Sequence, residues 1–185
     1  MRKSLIPTLA LLAFGAGAAL YLAALPARQA VAEIHPVWST ANWPFAMDQW
    51  GPGKAFTCTA SDCGSQISVY LRPKIGFCNC TNGVADDEDL ERLADFDLFR
   101  NDQKAAAPGR PIQVGWMKGR SRPYSFVGSF PRRKSALTIA FNDRCDAIIA
   151  TAVFDDDHHT DVESLVLNFL NDDTVVHWAK KTLGL

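Results

Sequence analysis

The stretch "LTIAFNDRCDAIIATAVF", residues 137 to 154, decides the fold. Leu137, Ile139 and Phe141 alternate with smaller or polar residues, the period of a strand with one buried face. Ala147 to Phe154 is a continuous apolar run of strand length. Asn142-Asp143 between them carries turn chemistry. Two strands joined this closely pair antiparallel.

Working upstream, Ile112, Val114 and Trp116 alternate, and so do Tyr124 and Phe126, with turn signals at Lys118-Gly119 and at Gly128-Ser129-Phe130-Pro131. Four strands in succession with short connections predict an antiparallel meander. A further strand is predicted over Gln66 to Lys74, with Ile67, Val69 and Leu71 on one face and Ser68, Tyr70 and Arg72 on the other. Between the two strand regions, Asp86 to Phe99 reads as a helix. Acids crowd its first turn, where the helix dipole favours them, and Leu90, Leu93 and Ala94 form an inward stripe.

Downstream, Thr160-Asp161-Val162-Glu163 has the pattern of a capping box. Val162, Leu165, Val166, Phe169 and Leu170 then follow at helical spacing. Asn171-Asp172-Asp173 resets the pattern, and Val175, Trp178, Ala179, Thr182 and Leu183 repeat it before Gly184. These are two amphipathic helices, or one helix kinked near Asn171. The expected class is α+β, a mostly antiparallel sheet covered by two C-terminal amphipathic helices and one middle helix.

The N-terminus predicts export. Arg2 and Lys3 precede an uncharged stretch from Leu5 to Leu25, and Ala30-Val31-Ala32 has the small-x-small form of a signal-peptidase site. The apolar run is also long enough to span a bilayer, so residues 1–32 read as a signal peptide cleaved at Ala32 or as a retained anchor spanning the membrane through residues 5–25. Either way residues from about 33 onward face outward, which places the protein in the bacterial periplasm, free or held at the inner membrane. Residues 33–54 hold three prolines and three tryptophans and read as an irregular, aromatic tether whose rings cover a core edge; residues 55–185 read as one domain.

All five cysteines, Cys58, Cys63, Cys78, Cys80 and Cys145, lie in the exported part. An oxidising compartment favours disulfides, and two bridges with one cysteine left over is the expectation. On an extended segment Cys78 and Cys80 stand about 7 Å apart, too far to bridge each other, so each is expected to meet one of the others. Two bridges drawn from five cysteines allow about 15 arrangements. The competing reading is a thiolate site for zinc or copper made by Cys58, Cys63, Cys78 and Cys80, or a thiol-redox protein. The acids that open the next helix argue against an activated thiolate. Asp155-Asp156-Asp157-His158-His159 reads as a solvated turn, and His35 and His177 as surface residues.

No nucleophile elbow, zinc-protease helix or glycine-rich phosphate loop is present, so no catalytic roles are assigned and no cofactor is called for. Without residues 1–32 the chain has 16 bases against 20 acids, which argues against nucleic acid as a partner. The charge is nonetheless blocked along the chain. Asp86 to Asp102 is acidic, Gln103 to Asn142 basic, and Asp143 to Asp173 acidic again; the expected outcome is that these blocks neutralise one another in the fold. The sharper alternative is a basic-aromatic binding edge of Trp116, Lys118, Arg120, Arg122 and Tyr124, with Arg132-Arg133-Lys134 at the next turn. Such an edge suits an acidic envelope protein, an anionic lipid or an anionic glycan.

Overall fold

A computed structural model of the protein describes residues 35–76, 79–99, 102–127, 134–155 and 161–185. Among them are eight strands in one antiparallel sheet. These are β1 (Trp38–Ala41), β2 (Lys54–Cys58), β3 (Ile67–Lys74), β4 (Asp102–Ala105), β5 (Arg110–Val114), β6 (Met117–Val127), β7 (Lys134–Asp143) and β8 (Asp146–Asp155). The spatial order is β1-β2-β3-β8-β7-β6-β4, with β5 also pairing β6. Helices α1 (Ala60–Cys63) and α2 (Asp87–Leu93) and a 3-10 turn (Phe96–Phe99) lie in the first half, and α3 (Val162–Leu170) and α4 (Asp173–Thr182) close the chain.

The stretch that opened the reading forms a hairpin, and the strand order sets it in the interior of the sheet, a position its sequence did not show. β7 and β8 pair along their whole length, from Lys134 opposite Asp155 to Asp143 opposite Asp146, and Arg144-Cys145 makes the turn. Both faces of this hairpin are buried. One face sets Leu137, Ile139, Phe141, Ile148, Ala150 and Ala152 in a core with Ile67, Val69 and Leu71 of β3 and with Val166, Phe169, Leu170, Val175 and Ala179 of α3 and α4. The other sets Ala140, Ala147 and Ile149 against Leu90 and Leu93 of α2. Alternation along each strand therefore serves two cores, which is why Ala147 to Phe154 carries no polar period.

Several boundaries differ from the sequence expectation, each for a local physical reason. Trp38–Ala41 and Lys54 lie in the segment expected to be irregular, yet they form β1 and the start of β2, because backbone pairing to a preformed neighbour outweighs a composition that disfavours strands. Trp116 is not a strand residue: β5 ends at Val114 and the turn is Gly115-Trp116, with Gly115 at φ +57°. Lys118-Gly119 is correspondingly not a turn but the start of the eleven-residue β6. Its glycine serves close approach instead, since a Cβ there would lie 2.1 Å from the Ala140 carbonyl oxygen on β7.

The middle helix is shorter than Asp86 to Phe99. It runs from Asp87 to Leu93, with Asp86 as N-cap accepting from the Asp89 N–H at 2.8 Å. Ala94 then turns extended, which lets Asp95 point inward before the 3-10 turn begins. At the C-terminus the pattern break at Asn171 separates two helices. The cap of α3 is Asp161, which accepts from the Ser164 N–H at 3.1 Å. Glu163, expected to close the capping box, instead takes Arg110 of β5 and the Ser121 hydroxyl of β6. Asn171 fastens the helix break to the sheet: its Oδ1 accepts from the Gly115 N–H at 2.8 Å, and its Nδ2 donates to the Leu167 carbonyl at 2.9 Å.

No helix among the described residues is long and apolar enough to cross a membrane. The run at 5–25, the cleavage site at Ala32, the turn at 128–131, Arg132 and Arg133, Thr160, and His158 and His159 lie outside the described residues.

Candidate functional site

The cysteines resolve first. Cys58 bridges Cys63, and Cys80 bridges Cys145. The expected pairing of Cys80 with a distant cysteine holds, whereas Cys58 and Cys63 meet each other across the short α1 rather than reaching the C-x-C pair. Cys78 lies outside the described residues. The bridges take apart the proposed zinc or copper set of Cys58, Cys63, Cys78 and Cys80, because a sulfur committed to a disulfide offers no thiolate to a metal. Two disulfides suit an oxidising, extracytoplasmic setting. Peptide mapping without reduction is expected to return these two cross-linked pairs; recovery of Cys58 with Cys80 or Cys145 would contradict the fold.

The expected basic-aromatic edge is placed quite differently from a free edge. Lys118, Arg120, Arg122 and Tyr124 share one face of β6, which is flanked by β7 on one side and by β4 and β5 on the other. Trp116 and Lys118 are exposed, but Tyr124 is buried. Arg120 pairs with Asp87 and donates to the Gly109 carbonyl at 2.9 Å. Arg122 reaches Glu91 at 2.6 Å, Asp87 at 3.5 Å and the Ala107 carbonyl at 3.1 Å. Asp87 and Glu91 of α2 thus answer the arginines of β6.

Two titrations follow from this contact. The Gly109 N–H, with the Arg120 guanidinium next, holds the Asp87 carboxyl below its ordinary 3.8 against the effect of burial. A folded-state value below the unfolded one contributes stability that is present above about pH 4 and lost as pH falls through the folded value. An acid unfolding series is therefore expected to show a shallower decline in Asp87→Asn than in the parent protein; parallel curves would mean the pair contributes nothing to acid resistance. Burial pushes the Tyr124 phenol up to about 12, with Glu91 acting in the same direction and Arg122 against it. That contribution has the opposite sense, being present below the ordinary tyrosine value and lost at strongly alkaline pH.

At one end of the same sheet face, Arg72 and Lys74 of β3 are buried. Arg72 is on the face opposite Ile67, Val69 and Leu71, as its alternation predicts, but that face is buried there too, and nothing near it in sequence shows its partners. Arg72 grips Asp95 with Nε at 3.1 Å and with Nη2, and reaches Asp48 with Nη1. Lys74 lies 2.9 Å from Asp95, donates to the Leu93 carbonyl at 2.6 Å and stands 5.5 Å from the Trp50 ring centre. Burial disfavours the Arg72 charge, but Asp95 and then Asp48 hold it protonated. Burial likewise works against the Asp48 charge and is outweighed by the Trp50 N–H and Arg72. A cleft of about 280 Å³ opens here, but its cations are spent on internal carboxylates.

The opposite end of the other core holds a groove of a different kind, about 650 Å³, between β1 and the two C-terminal helices. Trp38 lies nearly parallel to Phe169 of α3 with ring centres 4.4 Å apart, and Phe56 of β2 meets Phe169 edge-on at 4.9 Å. Leu165 and Val175 complete the apolar wall, Val37 stands 57% exposed at its mouth, and Asp172 is the charged residue in the lining. The register explains the placement: Trp38 sits opposite Cys58, whose bridge to Cys63 is fully buried, so the aromatic floor rests on a braced strand. Sequence reading missed this groove because β1 has four residues, too few for a visible period. No model of a known protein family and no curated protein matches this chain.

Proposed function

We propose that this chain is an exported protein of the bacterial envelope, a disulfide-stabilised binding module that captures its partner at the groove of Trp38, Phe56 and Phe169 without catalysing a reaction on it. The observation that carries this reading is the groove itself: its volume is in the range of ligand sites, its walls are apolar and aromatic, and Val37 stays exposed beside it. The cleft at Arg72 and Lys74 has its cations answered by Asp95 and Asp48. An uncharged leader of this length and two disulfides support work outside the cytoplasm.

Titrating the full-length protein with Nile red, a neutral apolar dye, is expected to give blue-shifted, saturable emission. Leu165→Gln, at a partly buried wall position, is expected to reduce that signal while the unfolding midpoint stays within a few degrees. Equal emission from both proteins would place apolar binding elsewhere. Osmotic-shock fractionation tests export: recovery in the periplasmic or membrane fraction is expected, and recovery with cytosolic markers would overturn it.

A further inference from the structure

Resting on the groove as the binding site, we infer that its occupant is an extended polypeptide carrying a lysine or arginine, which adds to β1 as a ninth strand. β1 stands at the end of the sheet and pairs with β2 alone, so its outer row of backbone N–H and C=O groups faces away from every described strand. Exposed edges are normally blunted by charge, proline or interruption. The far edge has all three: Lys104, Arg110 and Pro111, with the chain leaving the ladder between β4 and β5. β1, "WSTA", carries neither charge nor proline, and its four-residue length is what limits pairing there.

Trp38 and Thr40, two residues apart on one face of β1, both line the groove. A strand added alongside therefore sets every second side chain over the same apolar trough, while the ladder supplies sequence-independent affinity. Four residues of β1 match about 13 Å of extended peptide. The lining contains Asp172 and no base, which selects a cationic peptide. It also disfavours a second copy of this chain, since self-pairing brings two such acid-only rims to one interface.

The test uses the full-length protein and three synthetic peptides, Thr-Val-Thr-Val-Thr-Lys-Thr, whose lysine shares a face with its valines, the same sequence with glutamate for lysine, and the same sequence with proline at its centre. The lysine peptide is expected to bind and to slow hydrogen exchange at the β1 amides. Proline is expected to weaken binding about tenfold through one or two lost backbone hydrogen bonds. Asp172→Asn, which keeps the N-cap of α4, is expected to remove a preference of about two- to fivefold for lysine over glutamate. Equal binding of the proline peptide would overturn strand addition while leaving the groove as a site. Nile red binding without peptide binding would overturn the peptide as occupant, and loss of both would overturn the groove. Protection of β1 in a peptide-free dimer would make a second copy the occupant and reject the inference.

Discussion

Replacing Asp95 with alanine is expected to destabilise the protein by about 3 to 5 kcal/mol, the usual consequence of removing one side of a buried ion pair. Asp95 is 6% exposed and serves both Arg72 and Lys74, which are themselves 4% and 6% exposed. With the carboxylate gone, Arg72 retains Asp48 and Lys74 retains the Leu93 carbonyl, but two cations are left with one carboxylate in a space built around four charges. The cluster also holds three segments that local sequence does not join: β3, the loop containing Asp48, and the connection from α2 to the 3-10 turn. Urea unfolding monitored by tryptophan fluorescence measures the effect. A loss below about 1 kcal/mol would mean that water reaches the site and screens it as at a surface. Replacing Arg72 and Lys74 with methionine and Asp95 with leucine together separates charge from packing, since exchanging all three buried charges for apolar groups is expected to cost less than removing Asp95 alone.

The second large effect is expected from Cys80 and Cys145. Their bond spans 65 residues of sequence, against 5 for Cys58 and Cys63. Restriction of the unfolded chain scales with the logarithm of loop length, giving about 4 kcal/mol for the long loop and about 2 kcal/mol for the short one. The double variant Cys80→Ala/Cys145→Ala is therefore expected to unfold at markedly lower urea than Cys58→Ala/Cys63→Ala. The buried short bridge also loses packing when replaced, which narrows the gap without reversing it. Reversal of the order would show that packing around Cys58, and not chain restriction, dominates.

Much of this fold was legible because its strongest signals are local. The β7–β8 hairpin, β3 and the two C-terminal helices each carry enough periodic apolar residues to be read alone, and each is present in the sheet or the core. What was not legible depended on partners distant in sequence. Nothing around Asp95 shows that it is buried, because its reason is Arg72 on β3, 23 positions earlier. Nothing in "KGRSR" shows a strand interior, because the need for Gly119 comes from the β7 backbone. The neutralisation of charge blocks was the plainer of the two readings, and the pairing of Arg120 and Arg122 with α2 is an instance of it. The groove was hidden for the same reason in sharper form: Trp38 becomes a floor only where Phe169, 131 positions later, stacks on it.

The four-residue ladder between β1 and β2 also has a mechanical meaning. A partner held at β1 and drawn away from the sheet loads the protein through those four residue pairs, and Trp38 lies opposite Cys58 at one end of them. Tension arriving there enters a covalently closed loop, Cys58 to Cys63, instead of the free end of a hydrogen-bonded strand. If a partner adds to β1 as proposed, this four-pair junction is the first part of the sheet to yield, at a force set by a few hydrogen bonds.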